Sequence, residues 1–268
     1  MALARAAALP TVASMRFGPH PPLEADGRGF VAGLAKSGFQ VGENILLAQH
    51  DCQGSMANAN TLAAELLRAQ PAVLHVSATP SAQAVNSAHG VAPQVPVVFS
   101  SVTDPVGAGI VPAGVPAGQA LGGNLTGVSS PWPVELQLQT YAQIAPRARL
   151  WVTLYNASES NSISHVRRLR QAAAQLKLEL VEITVRRPDD VAAAAAALAE
   201  RADAILIVAD NTADARLEAI AKVCNERAGR CLRARRTAWC VARRCRSGWS
   251  STWWATPPAA RPRWCSTA

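Results

Sequence analysis

Short apolar runs alternate with helix-period segments along most of this chain. The runs fall at residues 11–17, 44–49, 73–77 and 97–100, then at 150–155, 179–184 and 204–208. Between them, apolar positions recur every three or four residues, as in Ile163, Val166, Leu169, Ala173 and Leu176, or Ala213, Leu217, Ile220 and Cys224. That spacing predicts amphipathic helices. Thr79 offers an N-cap followed by Pro80 at the first helical position, and Asn211 or Thr212 can cap the last helix. One helix between successive strands, at roughly 25 to 30 residues per repeat, predicts βαβ units and parallel sheets.

The rhythm breaks once. Residues 102–133 are rich in glycine and proline (Pro105, Gly107, Gly109, Pro112, Gly114 and Pro116 among them) and poor in helix-forming pattern. Four strand–helix units precede the break and three follow it. The predicted fold class is therefore α/β, with two lobes built on parallel sheets and a crossover near residues 127–133. The expected divisions are 1–10 as a leader remnant or disordered end, 11–127 as the first lobe, 128–229 as an incomplete second lobe, and 230–268 as a disordered tail.

Composition isolates that tail. The chain has 268 residues, 49% of them hydrophobic, and a formal net charge of +8. Residues 230–268 carry nine Arg, no Lys, no acid, five of the seven Trp and four of the six Cys. Removing them leaves 17 basic against 18 acidic residues, a net of −1. The basic character belongs to the tail, so nucleic acid is not an expected partner of the lobes. Cys231, Cys240, Cys245 and Cys265 follow no zinc-ligand spacing, and no metal or cofactor is expected. No stretch of 18 apolar residues escapes interruption by charge, Gly or Pro, which predicts no spanning helix.

The genetic code supplies another reading of the tail. Cys and Trp codons begin with TG, so read one nucleotide earlier each becomes NTG, encoding Leu, Val or Met. Shifted in this way with GC-rich codons, residues 230–255 become a string containing Glu-Glu-Asp-Gly, Val-Val and Leu-Ser-Leu-Gly-Leu. Acids, a turn signal and a strand pattern all reappear. The expectation is a slip of reading frame near Gly229–Arg230, leaving the C-terminal segment missing or scrambled.

Candidate chemistry gathers where strands end. The loops read Ser77-Ala78-Thr79-Pro80-Ser81, Ser101-Val102-Thr103-Asp104-Pro105, Tyr155-Asn156-Ala157-Ser158-Glu159-Ser160-Asn161-Ser162, and Asp210-Asn211-Thr212. Ligands of open α/β sheets bind outside the carboxyl ends of strands. Helix N-termini there favour a carboxylate, by about 0.3–2 kcal/mol. Asp104, Glu159 and Asp210 can instead receive an ammonium. The set suits a small zwitterion better than a polyanion. Ser, Thr, Asn and Asp at helix starts also serve as plain caps, Asp104 before Pro105 also reads as a turn initiator, and His20 between two prolines reads as a loop residue. The candidate ligand-binding residues are Phe17, Ala78, Thr79, Ser81, Ser101, Thr103, Asp104, Tyr155, Asn156, Glu159, Asn161, Ser162, Asp210 and Asn211, with Phe17 and Tyr155 as walls. No G-x-G-x-x-G follows the first strand and no Cys/His or Ser/His pairing is apparent, so catalysis is not expected.

Several segments carry a likeness. Phe17-Gly-Pro-His20-Pro, Ser77-Ala-Thr-Pro80-Ser-Ala-Gln83, the run from Pro96 through Phe99-Ser-Ser-Val-Thr-Asp104-Pro-Val-Gly-Ala-Gly109, Asn124-Leu-Thr-Gly127-Val, Tyr155-Asn-Ala-Ser-Glu159-Ser-Asn161-Ser and Asp210-Asn-Thr212 resemble the substrate-binding proteins of ABC-type importers. The resemblance points to the branch that binds tryptophan and related aromatic amino acids, and it runs from Pro10 to about Gly229. It implies a type I periplasmic-binding fold of two Rossmann-like lobes on a hinge, closing around a small amino-acid-like ligand. It implies a permease in the inner membrane as partner, a monomeric state, and a periplasmic or membrane-anchored extracytoplasmic location. Pro19 stands where the family usually has Glu. The family's chain also returns to the first lobe after the last helix, which the shifted string resembles and the printed tail does not. The effector domain of a regulator shares the two-lobe layout, but only ten residues precede the first strand, too few for a DNA-binding motif. Ala4-Arg5-Ala6 resembles a cleavage site, so a signal upstream of Met1 is expected.

Overall fold

A computed structural model describes residues 8–116, 118–119, 121, 123–199, 201–226 and 230–233. Residues 1–7 of the expected 1–10 leader remnant, and the tail beyond residue 233, lie outside them. Five parallel strands form the first sheet: β1 (Thr11–Arg16), β2 (Leu46–Asp51), β3 (Val73–Ser77), β4 (Val97–Val102) and β5 (Leu125–Ser129), in the order β2-β1-β3-β4-β5. The second sheet comprises β6 (Leu150–Tyr155), β7 (Glu179–Thr184), β8 (Ala204–Ile207) and β9 (Arg230–Arg233), ordered β7-β6-β8-β9 and again parallel. Two strands were not anticipated: Leu125-Thr-Gly-Val-Ser (β5) hides in the Gly/Pro-rich break and acquires its ladder only by pairing with β4, and Arg230–Arg233 (β9), expected to be disordered tail, pairs in parallel with β8 and extends the second sheet.

Helices fill the intervals as the apolar spacing requires. They are α1 (Pro21–Lys36), α2 (Met56–Arg68), α3 (Thr79–Ala88), α4 (Val134–Ile144), α5 (Ser160–Gln175), α6 (Pro188–Ala199), α7 (Asn211–Asp214) and α8 (Leu217–Glu226). The single helix expected over residues 213–224 is split, because Asp210 caps the short α7 before the chain re-enters α8. None of the described helices is long and apolar enough to cross a membrane.

Parallel sheets are covered on both faces, so alternate strand residues feed different clusters. In the first lobe Ala13, Met15, Leu74, Val76, Val97 and Phe99 meet Ala63, Leu66 and Leu67 of α2 and Ala82 and Val85 of α3. In the second, Trp151 and Leu206 join Leu138, Val166 and Leu169 of α4 and α5. Leu154, Ile205 and Ile207 turn the other way, toward Val191, Ala195 and Ile220 of α6 and α8. Cys52 and Cys224 belong to different clusters.

The sheet orders decide where a ligand can lie. A parallel sheet opens a crevice at its strands' carboxyl ends where neighbouring helices leave on opposite faces. In the first sheet that switch falls between β1 and β3, and in the second between β6 and β8. One close packing helps to hold the first lobe's far edge: a side chain at Gly127 in β5 would collide with the ring and carbonyl of Phe99 on β4. Gly127→Ala should therefore destabilise the protein by about 1–3 kcal/mol, read as a lower denaturation midpoint at unchanged slope.

Candidate functional site

The two crevices face each other across one cleft of about 1740 Å³. Its lobe-one wall carries His20 with its flanking prolines, Ala78, Thr79, Ser101 and Thr103. Its lobe-two wall carries Trp132, Gln137, Asn161, Asp210 and Asn211. The volume exceeds the roughly 300–1,000 Å³ of ordinary small-molecule pockets.

On lobe one, α3 begins without a side-chain cap. Its N-cap is Ala78, and its first helical bond runs from Ala82 N to Ala78 O at 3.1 Å. The N–H groups of Thr79 and Ser81 precede that bond, as the leading donors of any helix do. Thr79, 2% exposed, accepts at Oγ1 from Thr103 N at 3.4 Å, which leaves its hydroxyl proton to donate. Ala78 and Ser101 both hold left-handed backbone, with φ of 84° and 54°.

On lobe two the loops after β6 and β8 are tied into one unit by two buried carboxylates. Glu159 accepts at Oε2 from Asn211 N (3.0 Å), Asn211 Nδ2 (2.6 Å) and Asn161 Nδ2 (3.2 Å), and at Oε1 from Thr212 N (3.1 Å) and Thr212 Oγ1 (2.9 Å). Asp210 accepts at Oδ1 from Ala213 N and at Oδ2 from Asn156 N and Ser162 Oγ, each at 2.6 Å. Burial, and the charge of Glu159 beside it, push the Asp210 carboxyl up to about 7. These acids were expected to be available to an ammonium. They are instead engaged by the protein's own donors, because α7 is too short to satisfy its leading N–H groups alone.

The free acceptors are amide oxygens. Asn161 is 5% exposed; its Nδ2 donates to Glu159, Ser162 and Ala209, and its buried Oδ1 has no hydrogen-bond partner. Gln137 Oε1 is likewise buried without one. Both residues line the cleft opposite α3.

Polar contacts cross between the lobes among the described residues. His20 Nε2 lies 3.0 Å from Asn211 Oδ1. Since Asn211 Nδ2 is committed to Glu159, its oxygen faces His20, and the imidazole donates. Ser160 Oγ donates to Gln83 Oε1 at 3.3 Å, and Ser164 Oγ donates to Asp104 Oδ2 at 3.1 Å. Asp104 also accepts from Gly107 N at 2.8 Å, a curl that leaves no room for a side chain at Gly107.

Of the residues expected at the ligand, Ala78, Thr79, Ser101, Thr103, Asn161, Asp210 and Asn211 line the cleft, while the others stand back from it. Phe17 is not a wall: it is 5% exposed and packed in the first lobe's core, because its strand has already turned inward. Tyr155 packs beside the second cluster and donates to Glu182 Oε2 at 3.4 Å. Ser81 sits at 3.9 Å from the buried Cys52 thiol, which burial pushes up to about 11. Asn156 braces Thr212 and Asp210, Ser162 braces Asp210, Glu159 builds α7 and Asp104 joins the lobes. Missed from the sequence were Trp132 and Gln137, which follow the break with no strand to flag them, and His20, read as a loop residue.

The sequence pattern of the ABC transporter substrate-binding proteins matches residues 11–229. The chain belongs to that family. It is 28% identical over 207 residues, 77% of its length, to a tyrosine-binding protein of Clostridioides difficile, and spans 58% of that relative's length. Among solved structures it is similar to a conserved domain protein of Vibrio cholerae, with a TM-score of 0.79 at 33% identity, covering 85% of this chain and 75% of that one. The fold is shared with a Streptococcus pneumoniae ABC domain in complex with L-Trp, with a TM-score of 0.78 at 24% identity, over 85% of this chain and 75% of that one. A ligand-free, open substrate-binding protein of C. difficile with adhesive properties matches at 0.57 and 27% identity, over 84% of this chain and 74% of that one. The two-lobe α/β architecture expected from the strand–helix rhythm is thus the type I periplasmic-binding fold of this substrate-binding family.

The Asp210 carboxyl binds its proton more tightly folded than unfolded, where its ordinary value is 3.8. Stability that Asp210 withdraws is fully felt above about 7 and is regained as pH falls from there toward 4. Thermal melts from pH 8 to pH 4 should show this gain in the wild type relative to Asp210→Asn, whose profile lacks it.

Proposed function

We propose that this protein is the solute-binding component of an ABC-type importer, and that it captures a small amino-acid zwitterion between its lobes. The observation that carries this reading is the pairing across one cleft of the uncapped α3 N-terminus with the unpartnered Asn161 Oδ1. A carboxylate fits the first, where Thr79 adds a hydroxyl donor. An ammonium fits the second, since a buried acceptor left unmade costs about 1–3 kcal/mol that a bound N–H group recovers. Gln137 Oε1 supplies a further acceptor, and Trp132 with its neighbouring prolines supplies an apolar wall for the side chain.

Closure follows from the same geometry. Ligand held by α3 on one side and α5 on the other bridges the lobes, and the contacts from His20, Gln83 and Asp104 act only when they meet. The names of the tyrosine-binding relative and the L-Trp complex favour an aromatic amino acid as solute. The protein would act outside the cytoplasm, as a monomer, delivering the solute to a membrane permease, with no cofactor and no catalytic step. The lobes are taken to divide near residue 127, and the tail from residue 230 to be read out of frame. Sequencing the gene across the Gly229–Arg230 codons should show one base gained or lost relative to a frame that continues the family pattern; an uninterrupted frame overturns that reading.

Titration calorimetry with L-tyrosine and L-tryptophan tests the function. One of them should bind saturably, and Asn161→Ala and Trp132→Ala should each weaken binding about tenfold or more, as loss of a buried anchor does. Absence of heat with both amino acids, at concentrations up to millimolar, would refute it.

A further inference from the structure

The first lobe contains a partly buried polar chain outside the cleft. Across the face of the sheet beneath α1, Ser14 of β1 stands opposite His75 of β3, and Ser77 stands opposite Ser100 of β4. Asp26 of α1 reaches down to them. Ser77 Oγ and Ser100 Oγ both donate to Asp26 Oδ2 at 2.5 Å. A hydroxyl has one proton, so Ser100 can only accept from His75 Nε2, at 2.8 Å. His75 Nδ1 then accepts from Ser14 Oγ at 2.9 Å. The chain of bonds therefore assigns the proton of His75 to Nε2. His75 is 1% exposed, burial lowers its affinity for a second proton, and Phe30, one turn beyond Asp26 on α1, stacks on its ring at 4.0 Å and 8°.

α1 depends on this attachment. Leu23 is its only fully buried residue, and its three glycines, Gly27, Gly29 and Gly33, border open space rather than close packing. Each weakens the helix by about 1 kcal/mol relative to alanine. The next residues along the two strands are Ala78 and Ser101, the two left-handed positions that line the cleft. Such backbone costs on the order of 1–3 kcal/mol per residue and persists only when its surroundings determine it. Ala78 N donates to Ser100 O at 3.1 Å, so the two positions are also tied to each other.

We propose that Asp26 is a positioning residue for solute binding. By drawing the Ser77 and Ser100 hydroxyls to one oxygen, it fixes the carboxyl ends of β3 and β4 and thereby the left-handed Ala78 and Ser101 that turn the α3 N-terminus toward the cleft. The consequence for affinity rests on the reading of that terminus as the carboxylate anchor; the consequence for the backbone does not.

The test uses the full chain, Asp26→Ala, and Asp26→Asn, which keeps an acceptor oxygen. Long-range proton–nitrogen NMR should find His75 as the neutral Nε2–H tautomer in the wild type and in Asp26→Asn, and a mixture of tautomers in Asp26→Ala. Amide exchange of Ala78 should accelerate at least about tenfold in Asp26→Ala without a matching rise in the α2 amides, and Asp26→Asn should restore most of the protection. L-tyrosine affinity should fall about tenfold in Asp26→Ala and recover in Asp26→Asn. An Nδ1–H or charged His75 in the wild type overturns the proposal, as does unchanged Ala78 exchange in Asp26→Ala. Unchanged affinity alongside faster exchange overturns the link to binding. Failure of the wild type to bind L-tyrosine or L-tryptophan refutes the proposed function alone, because tautomer and exchange still report on Asp26.

Discussion

Parallel strand order is the constraint from which the cleft descends. When every strand of a sheet runs the same way, every following helix starts at the same edge, bringing its unsatisfied N–H groups there. Two such sheets facing each other bring two rows of helix starts together. Around this cleft the protein meets the resulting demand in different ways. α7 is capped twice over, by Asp210 and by Glu159. α1 begins at His20 with two prolines, which bring no N–H group to satisfy. α3 begins at Ala78, which has nothing to offer as a cap, and its start lines the cleft beside theirs.

The placement of acids follows from the same demand. Carboxylates at the mouth of a sheet invite an electrostatic reading as ligands for a cation. Glu159 and Asp210 are instead a structural device, spent on holding the loops after β6 and β8 as one body. Putting two carboxylates close together below the surface is costly, which is why Asp210 holds its proton to an unusually high pH. In return, Asn161 and Asn211 are gripped through their amide nitrogens, which leaves the buried oxygen of Asn161 without a partner and sets that of Asn211 against His20. An amide oxygen held by a buried acid is a neutral, oriented acceptor.

The same logic runs through the first lobe. One face of its sheet is apolar and packs as a core; the other, beneath α1, carries serines and a histidine joined to Asp26. A polar network inside a lobe is tolerable only if every member is satisfied, and here the order of donors leaves one consistent assignment. The strained turns at Ala78 and Ser101 adjoin this network, so a satisfied polar cluster stands directly behind residues that line the cleft.

Much of this was legible beforehand. Apolar runs separated by helix-period segments disclosed seven of the strands and the parallel arrangement, because period and spacing are local properties. The polar loops at strand ends were legible for the same reason. Strand β5 was not, since Leu125-Thr-Gly-Val-Ser has too little apolar content to declare itself and depends on β4 for its partner. Nor were the roles within the loops. Asp104, Glu159 and Asp210 are alike in the sequence, yet one joins the lobes, one builds a helix start and one does both bracing and lining. Phe17, expected as a wall, is core, and Trp132, for which no place was expected, lines the cleft, because which side of a strand end faces the cleft depends on how the chain turns after it. Sequence alone determined the elements, their order and the edge at which polar groups collect, since these follow from backbone periodicity. Only the tertiary structure decided which of those groups are consumed by one another and which are left for a solute, since that depends on distances between residues up to 191 positions apart.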